Sequence, residues 1–392
     1  MGQRTVLISG AGVAGPTLAY WLARHGFRPT VVERAGGQRS SGNPVDVRGP
    51  AIDVAQRMGV LPRLREAATS VSGIAFVTAS GRRIGRLPLG RPGSGEVEVP
   101  RADLAAIMHD AARNHAEFLF GDSITALAQD AGGVDVTFAN GAPRRFDLVA
   151  GADGLHSAVR RLIFGPASGY VRHLGMYVAT LPLERPAADP ATVLMYNMPG
   201  RSVSVHPANG NAMAAFIFRS PAIPGLDNRD TTACKQIVLD AYRGGGWELP
   251  ALLDRLNAAD DLYFDSVSQV RLPAWSSGRV TLLGDAASCM SLFGNGSSLA
   301  ITGAATLARA LGAAPGDHAT AFREYETRHR VRIRPAQRGR LIAGALLVPP
   351  NRAGITARNL AIRLLARQPE QGSTRSPQIS TTGHSQPTRA RQ

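Results

Sequence analysis

Cysteine and lysine are nearly absent from this chain of 392 residues. Its two cysteines, Cys234 and Cys289, lie far apart, so the sequence offers neither a disulfide framework nor a clustered thiolate metal site. Such sparing use of cysteine fits a reducing, cytoplasmic compartment. Lys235 is the one lysine among 44 basic residues, and we ascribe that bias to genome composition rather than to a phosphate ligand. No uncharged apolar run approaches the ~18 residues of a membrane span. Met1–Arg4 is too short for the basic region of a signal peptide, and the apolar stretch after it is broken by glycines. A soluble protein is expected.

The net charge of +15 is unevenly spread. From residue 318 onward fourteen arginines face three acids, which leaves the first 317 residues close to balance. A basic tail without a recognised reader motif does not make a nucleic-acid-binding protein, and none is expected here. With 44% hydrophobic and 19% charged residues the composition is that of a globular chain with a sizeable core, long enough for two or three domains.

Thr5–Ser9 (TVLIS) is a β-branched apolar run that stops at Gly10, and Pro16–His25 then carries apolar residues at helical spacing before Gly26. Thr30–Glu33 (TVVE) reads as a second buried strand, which completes a βαβ unit with parallel strands. Further along, helices are predicted over Ala51–Met58 and Arg101–Asn114, and strands at Ile74–Val77 and Arg83–Leu87. A hairpin plus strand is predicted through Val134–Phe138, the Asn140-Gly141 turn and Phe146–Ala150. Residues 174–218 turn to strands separated by Pro, Asn and Gly. Arg279–Leu283 then returns to a buried strand, followed by a helix at Ser298–Leu311. A long helix is predicted from His318 to near Leu346, interrupted or kinked near Pro335, and a basic amphipathic helix over Gly354–Arg367. Residues 368–392 are polar and rich in Pro, Gly, Ser and Thr, and are read as a disordered tail. No internal repeat is present.

Gly10-Ala11-Gly12-Val13-Ala14-Gly15 is G-x-G-x-x-G between a predicted strand and helix. Gly10 permits the turn, Gly12 lets backbone approach a pyrophosphate, and Gly15 lets helix and strand pack closely, with the anion on the helix N-terminus. Glu33 ends the second strand 18 residues after Gly15, where a carboxylate accepts from ribose hydroxyls. An acid there argues against a 2′-phosphate, leaving NAD or FAD.

Two later segments have the same strand-to-helix placement: Gly151-Ala152-Asp153-Gly154-Leu155-His156-Ser157-Ala158-Val159-Arg160 and Gly284-Asp285-Ala286-Ala287. With the first fingerprint, they resemble the flavoprotein aromatic hydroxylases of the para-hydroxybenzoate type and the tetracycline-inactivating monooxygenases, over residues 4–345. The resemblance implies an α/β fold: a Rossmann-like FAD-binding domain with an inserted, mainly antiparallel β-sheet substrate domain and C-terminal helices. The expected boundaries are 1–73, 97–172 and 278–345 for the FAD domain, 74–96 and 173–277 for the substrate domain, and 346–367 for the C-terminal helix.

Carried onto this sequence, the resemblance implies that Gly10, Gly12 and Gly15, with Val13 and Ala14 between them, form the pyrophosphate turn. Glu33 holds the ribose and Arg34 lies along the adenine. Arg101, in Val-Pro-Arg-Ala-Asp-Leu, sits beside the flavin side chain, and Asp285 accepts from the ribityl chain. Asp153 serves both FAD and the reducing nucleotide, although Asp153 and Ser157 also have the alternative of simply capping the following helix. Gly294, Asn295 and Gly296 form a nest that favours negative charge near the flavin ring. The loop between departs from the family: Ser288-Cys289-Met290-Ser291-Leu292-Phe293 replaces the usual His and Pro residues and is one residue shorter.

The implied activity is oxygenation of a bulky aromatic or polyketide-like small molecule through a flavin C4a-hydroperoxide, with NADPH or NADH and O₂ as co-substrates. Because that loop is altered, the alternative is an FAD-retaining enzyme of non-redox cyclisation or rearrangement. Met290, Leu292 and Phe293 are expected to shield the flavin from water, and the chain to act as a monomer or homodimer. His109, His115, His156 and His173 lack metal-ligand spacing and are read as surface or core residues, and Cys289 as packing. Of Tyr177, Met195, Tyr196, Met198, His206, Met213 and Phe216 in the β-rich layer, only a minority is expected to face the substrate.

Overall fold

The computed structural model describes residues 3–37, 44–89, 95–208, 210–260, 262–292, 295–338 and 340–365. Two sheets dominate it. Five parallel strands run in the order Val280–Leu282, Leu148–Gly151, Thr5–Ser9, Arg28–Glu33, Glu117–Phe120, and Ser276–Ser277 adds an antiparallel edge. Val6, Leu7 and Ile8 at its centre are at most 1% exposed, as expected for a parallel sheet covered on both faces. The helix Ala14–Arg24 buries Ala14, Leu18 and Leu22, spaced four apart. It packs on the helices Gly296–Ala313 and Arg101–Ala112. A hairpin sheet of Arg144–Phe146, Val134–Phe138 and Ile124–Gln129 stands beside the parallel sheet.

The second large sheet has seven strands, in the order Tyr263–Val270, Val171–Leu183, Asn211–Arg219, Arg201–Ala208, Thr192–Met198, Gly73–Val77, Arg83–Pro88. All pairs are antiparallel except Thr192–Met198 with Gly73–Val77. Residues alternate between its two faces. Tyr177, Tyr196, Phe216 and Phe218 pack on the helices Thr231–Tyr242 and Leu249–Ala258, chiefly against Val238, Tyr242, Leu252 and Leu256. The opposite face is a row fixed by register: Tyr263, Thr180, Ala215, Ser204, Met195 and Phe76.

Two helices that the strand pattern did not announce, Thr231–Tyr242 and Leu249–Ala258, back the seven-stranded sheet. The helix that follows the third glycine segment begins at Gly296, not Ser298. In the long-helix region the elements are His318–Arg338 and Arg340–Leu347. Pro349 and Pro350 then separate the latter from the last helix, Arg352–Leu365, since neither proline can donate an amide to a continuing ladder. The tail at 368–392 lies outside the described residues. No helix of the described residues is long and apolar enough to cross a membrane.

Candidate cofactor and substrate site

The parallel sheet changes direction between Thr5–Ser9 and Leu148–Gly151. The strands that follow Thr5–Ser9 lie on one side, whereas Leu148–Gly151 and Val280–Leu282 lie on the other. Open α/β sheets bind ligands at such a point, beyond the carboxyl ends of the strands. Registers Ser9↔Gly151 and Gly151↔Leu282 put the ends of three strands side by side.

All three sequence segments leave from these ends and touch. Ala152 N–H donates to the Ser9 carbonyl at 2.8 Å and Leu283 N–H to that of Gly151 at 2.9 Å. Gly10 is the close approach between the first two: a methyl there would stand 2.6 Å from the Ala152 carbonyl oxygen, and its φ of +105° already excludes most side chains. A methyl on Gly284 would lie 3.2 Å from Ala14 Cβ, so the third segment packs on the helix opened by the first. The buried Arg160 ties the second to the third, Nη1 donating to the Ala286 carbonyl at 3.0 Å.

Within this junction, room and unsatisfied groups coincide. A methyl on Gly12 would meet no atom within 4 Å, whereas one on Gly15 would lie 1.9 Å from the Gly10 carbonyl oxygen. Gly15 therefore closes the turn and Gly12 leaves it open. Glu33 is held at the strand end by the Ala11 N–H to Oε2 and the Ala35 N–H to Oε1, each at 2.9 Å. Asp285 opens the turn Asp285–Ser288, and its carboxylate has no hydrogen-bond or ion-pair partner among the described residues. It borders a cleft shared with Ser288, Gly296, Leu299, His329 and Ile333. Val13 precedes the first helix as its N-cap, and Asn295 does the same for Gly296–Ala313. Gly294 and Phe293 lie outside the described residues.

Arg101 begins the helix Arg101–Ala112. Its charge and that of Asp285 both act on Tyr263 and Cys289, Arg101 favouring and Asp285 opposing their ionisation. Burial is the main influence on each and pushes both above their ordinary range, so Cys289 is a neutral thiol and not a nucleophile. Arg34 is exposed, near enough to His156 to oppose its protonation.

For Asp153, helix capping and an open binding valence occur together. Oδ2 accepts from Ala158 N–H at 2.8 Å and Val159 N–H at 3.1 Å, while Oδ1 is buried without a partner among the described residues. Burial pushes this carboxyl above its usual range. Ser157 Oγ accepts from Arg160 N–H at 2.9 Å, a true N-cap.

Two features were not singled out from sequence. Ser298 Oγ donates to the Asp46 carbonyl at 2.9 Å and accepts from Arg48 N–H at 3.0 Å, stitching residues 46–48 to the helix Gly296–Ala313. Arg48 Nε is buried and has no partner among the described residues. The available signal was an arginine directly after a β-branched run and before Gly49-Pro50. The second feature is the polar row on the seven-stranded sheet. Thr180 and Ser202 are 1% exposed and their hydroxyls have no partner among the described residues. Ser204 Oγ pairs with His206 Nε2 at 2.9 Å, and burial holds His206 near 4, hence neutral. Met195, His206 and Met213 share this face. Tyr177, Tyr196, Met198 and Phe216 do not, because they point to the helices. Met290 bridges to Gln269 at the edge of the same sheet. Leu292 is 36% exposed with φ +64°, a strained conformation for a leucine.

The family model of the FAD binding domain matches residues 3–334, and the chain belongs to that family. It is 41% identical over 331 residues to the uncharacterized protein Rv1260 of Mycobacterium tuberculosis (strain ATCC 25618 / H37Rv), covering 82% of this chain and 89% of that one. It is 36% identical over 326 residues to a flavin-dependent monooxygenase of Legionella longbeachae serogroup 1 (strain NSW150), covering 82% and 83%. Among solved structures, tetracycline destructase Tet(55) superposes with a TM-score of 0.80 at 32% identity, covering 93% of this chain and 97% of that one. The protein is thus an FAD-dependent monooxygenase, an oxidoreductase.

Proposed function

We propose that this monooxygenase oxygenates a bulky aromatic or polyketide-like molecule held between the crevice of the parallel sheet and the polar face of the seven-stranded sheet, with NADPH or NADH as reductant. The observation that carries the reading is the meeting of three glycine turns beside an unpartnered carboxylate, Asp285, and an open space at Gly12. FAD fits this donor set. When bound, it supplies hydride acceptance, activation of O₂ and transfer of one oxygen atom.

The residues supply position and charge. The N–H groups around Gly12 and the helix N-terminus at Ala14 receive the pyrophosphate, Glu33 accepts from the ribose, and Arg34 lies along the adenine. Asp285 accepts from the ribityl hydroxyls, and Arg101 neutralises phosphate charge. The free oxygen of Asp153 and the Nε of Arg48 are two further contacts for the nucleotide. Asn295 and Gly296, with Gly294, favour negative charge near the ring at the N-terminus of an 18-residue helix. Thr180, Ser202 and the Ser204–His206 pair supply hydrogen bonds to polar substituents of the substrate. Met290 helps to exclude water. In this reading the FAD domain comprises 1–73, 97–172 and 278–345, and the substrate domain 74–96 and 173–277. A relative named tetracycline destructase supports a polycyclic substrate.

The test is to mix the FAD-loaded protein with NADPH under nitrogen, with candidate polycyclic phenols, and follow bleaching of the flavin band. Bleaching, followed by oxygen-dependent product carrying one atom of labelled O₂, is expected. Turnover under nitrogen without reductant would instead establish the cyclase alternative.

A further inference from the structure

One side chain of the second segment reaches across to the other large sheet. His156 Nε2 lies 3.0 and 3.1 Å from the two oxygens of Asp265, on the strand Tyr263–Val270. Asp265 is 9% exposed, and its Oδ1 also accepts from Asn228 Nδ2 at 2.8 Å and from Ser266 N–H at 2.7 Å. The His156 side chain is 60% exposed. A fixed, buried carboxylate thus faces an imidazole that solvent can reach, at a joint between the loop 152–157 and the substrate-side sheet. Gly154, at φ +77°, gives that loop a pivot, while Asp153 and Ser157 pin its far end to the helix Ala158–Phe164.

We propose that His156, Asp265 and Asn228 form a charge-dependent clasp that holds the 152–157 loop against the seven-stranded sheet. His156 is a positioning residue: through Asp265 it sets the strand whose Tyr263 lies within range of the charges of Arg101 and Asp285. That functional consequence rests on the cofactor reading above, whereas the clasp itself does not.

The surroundings decide the direction of the pH dependence. The hydrogen bond that His156 Nε2 donates to Asp265 raises the titration of His156, while partial burial and the charges of Arg160 and Arg34 oppose it. Asp227 and Arg229, beside Asn228, neutralise each other. With the folded value above the ordinary 6.5, the clasp is complete below about 6.5 and is lost as pH rises through the folded value of His156.

The experiment is a double-mutant cycle of His156→Gln, Asp265→Asn and the pair, read by denaturant unfolding of the holoprotein at pH 6 and pH 9. Amide exchange of residues 154–156 and 263–266 is measured alongside and corrected for intrinsic rates. The expected coupling at pH 6 is about two- to fivefold in the unfolding equilibrium, the size for a half-exposed pair, and none at pH 9. Exchange at both segments quickens with pH in the parent but not in His156→Gln. Equal coupling at both pH values, or none at either, would overturn the clasp. If the protein takes up no FAD, the same cycle is run on the apoprotein, so the cofactor reading can fail without deciding the clasp.

Discussion

Replacing either of two glycines in the first turn by alanine separates binding from folding, because the two positions differ in what a methyl meets. At Gly12 it meets nothing within 4 Å and the backbone is not left-handed. Gly12→Ala should therefore leave the apoprotein as stable as the parent, or more stable by about 0.4–1 kcal/mol through loss of unfolded-state freedom. The same methyl occupies the space assigned to the pyrophosphate. Loss of one charge-assisted backbone hydrogen bond, about 1.5–3 kcal/mol, weakens FAD binding by about 10- to 150-fold. At Gly15 the methyl would stand 1.9 Å from the carbonyl oxygen of Gly10, which is backbone and cannot swing aside. Gly15→Ala should cost at least the ~1–3 kcal/mol of an overpacked core and lower the melting temperature without ligand. Thermal melts of both apoproteins and flavin fluorescence titrations decide the matter. Parental FAD affinity in Gly12→Ala, or the same loss of stability in both variants, would refute the reasoning.

The other expectations are simpler. Asp285→Ala should lower FAD affinity about 10- to 150-fold in the same titration, through loss of a charge-assisted hydrogen bond, with little change in the apoprotein melt. Ser157→Ala removes the N-cap of Ala158–Phe164 and should cost about 1 kcal/mol in denaturant unfolding. Phe216→Ala, which empties the layer between the sheet and Tyr242, should cost about 3–5 kcal/mol. Thr180→Val removes a buried hydroxyl without a partner. It should stabilise the substrate-free protein by about 1 kcal/mol while raising the KM for a hydroxylated polycyclic substrate.

What was legible in the sequence follows from how each element is buried. Thr5–Ser9 and Arg28–Glu33 sit inside a sheet covered on both sides, so their apolar runs are nearly continuous and their ends are marked by Gly10 and Glu33. Glu117–Phe120 is the edge strand of that sheet, four residues long with its ends exposed, and no period can show in so short a run. Tyr263–Val270 was hidden for a different reason. Asp265, Ser268 and Gln269 are buried there, so polar residues stand where a hydrophobic pattern was sought, and they do so where the strand meets His156 and Met290. The glycine turns themselves were readable because a close approach between backbones restricts the residue type. Arg48, Thr180 and Ser202 were not, because an arginine or a hydroxyl shows its value only through an unpartnered atom in three dimensions. Asp153 had two meanings in the sequence; in the fold one oxygen caps the helix and the other has no partner among the described residues.

Whether three distant segments hold a single FAD is decided by a calorimetric titration of the wild-type apoprotein with FAD. One FAD per chain is the predicted stoichiometry, with the yellow complex surviving gel filtration. No saturable binding in protein shown to be folded would contradict it.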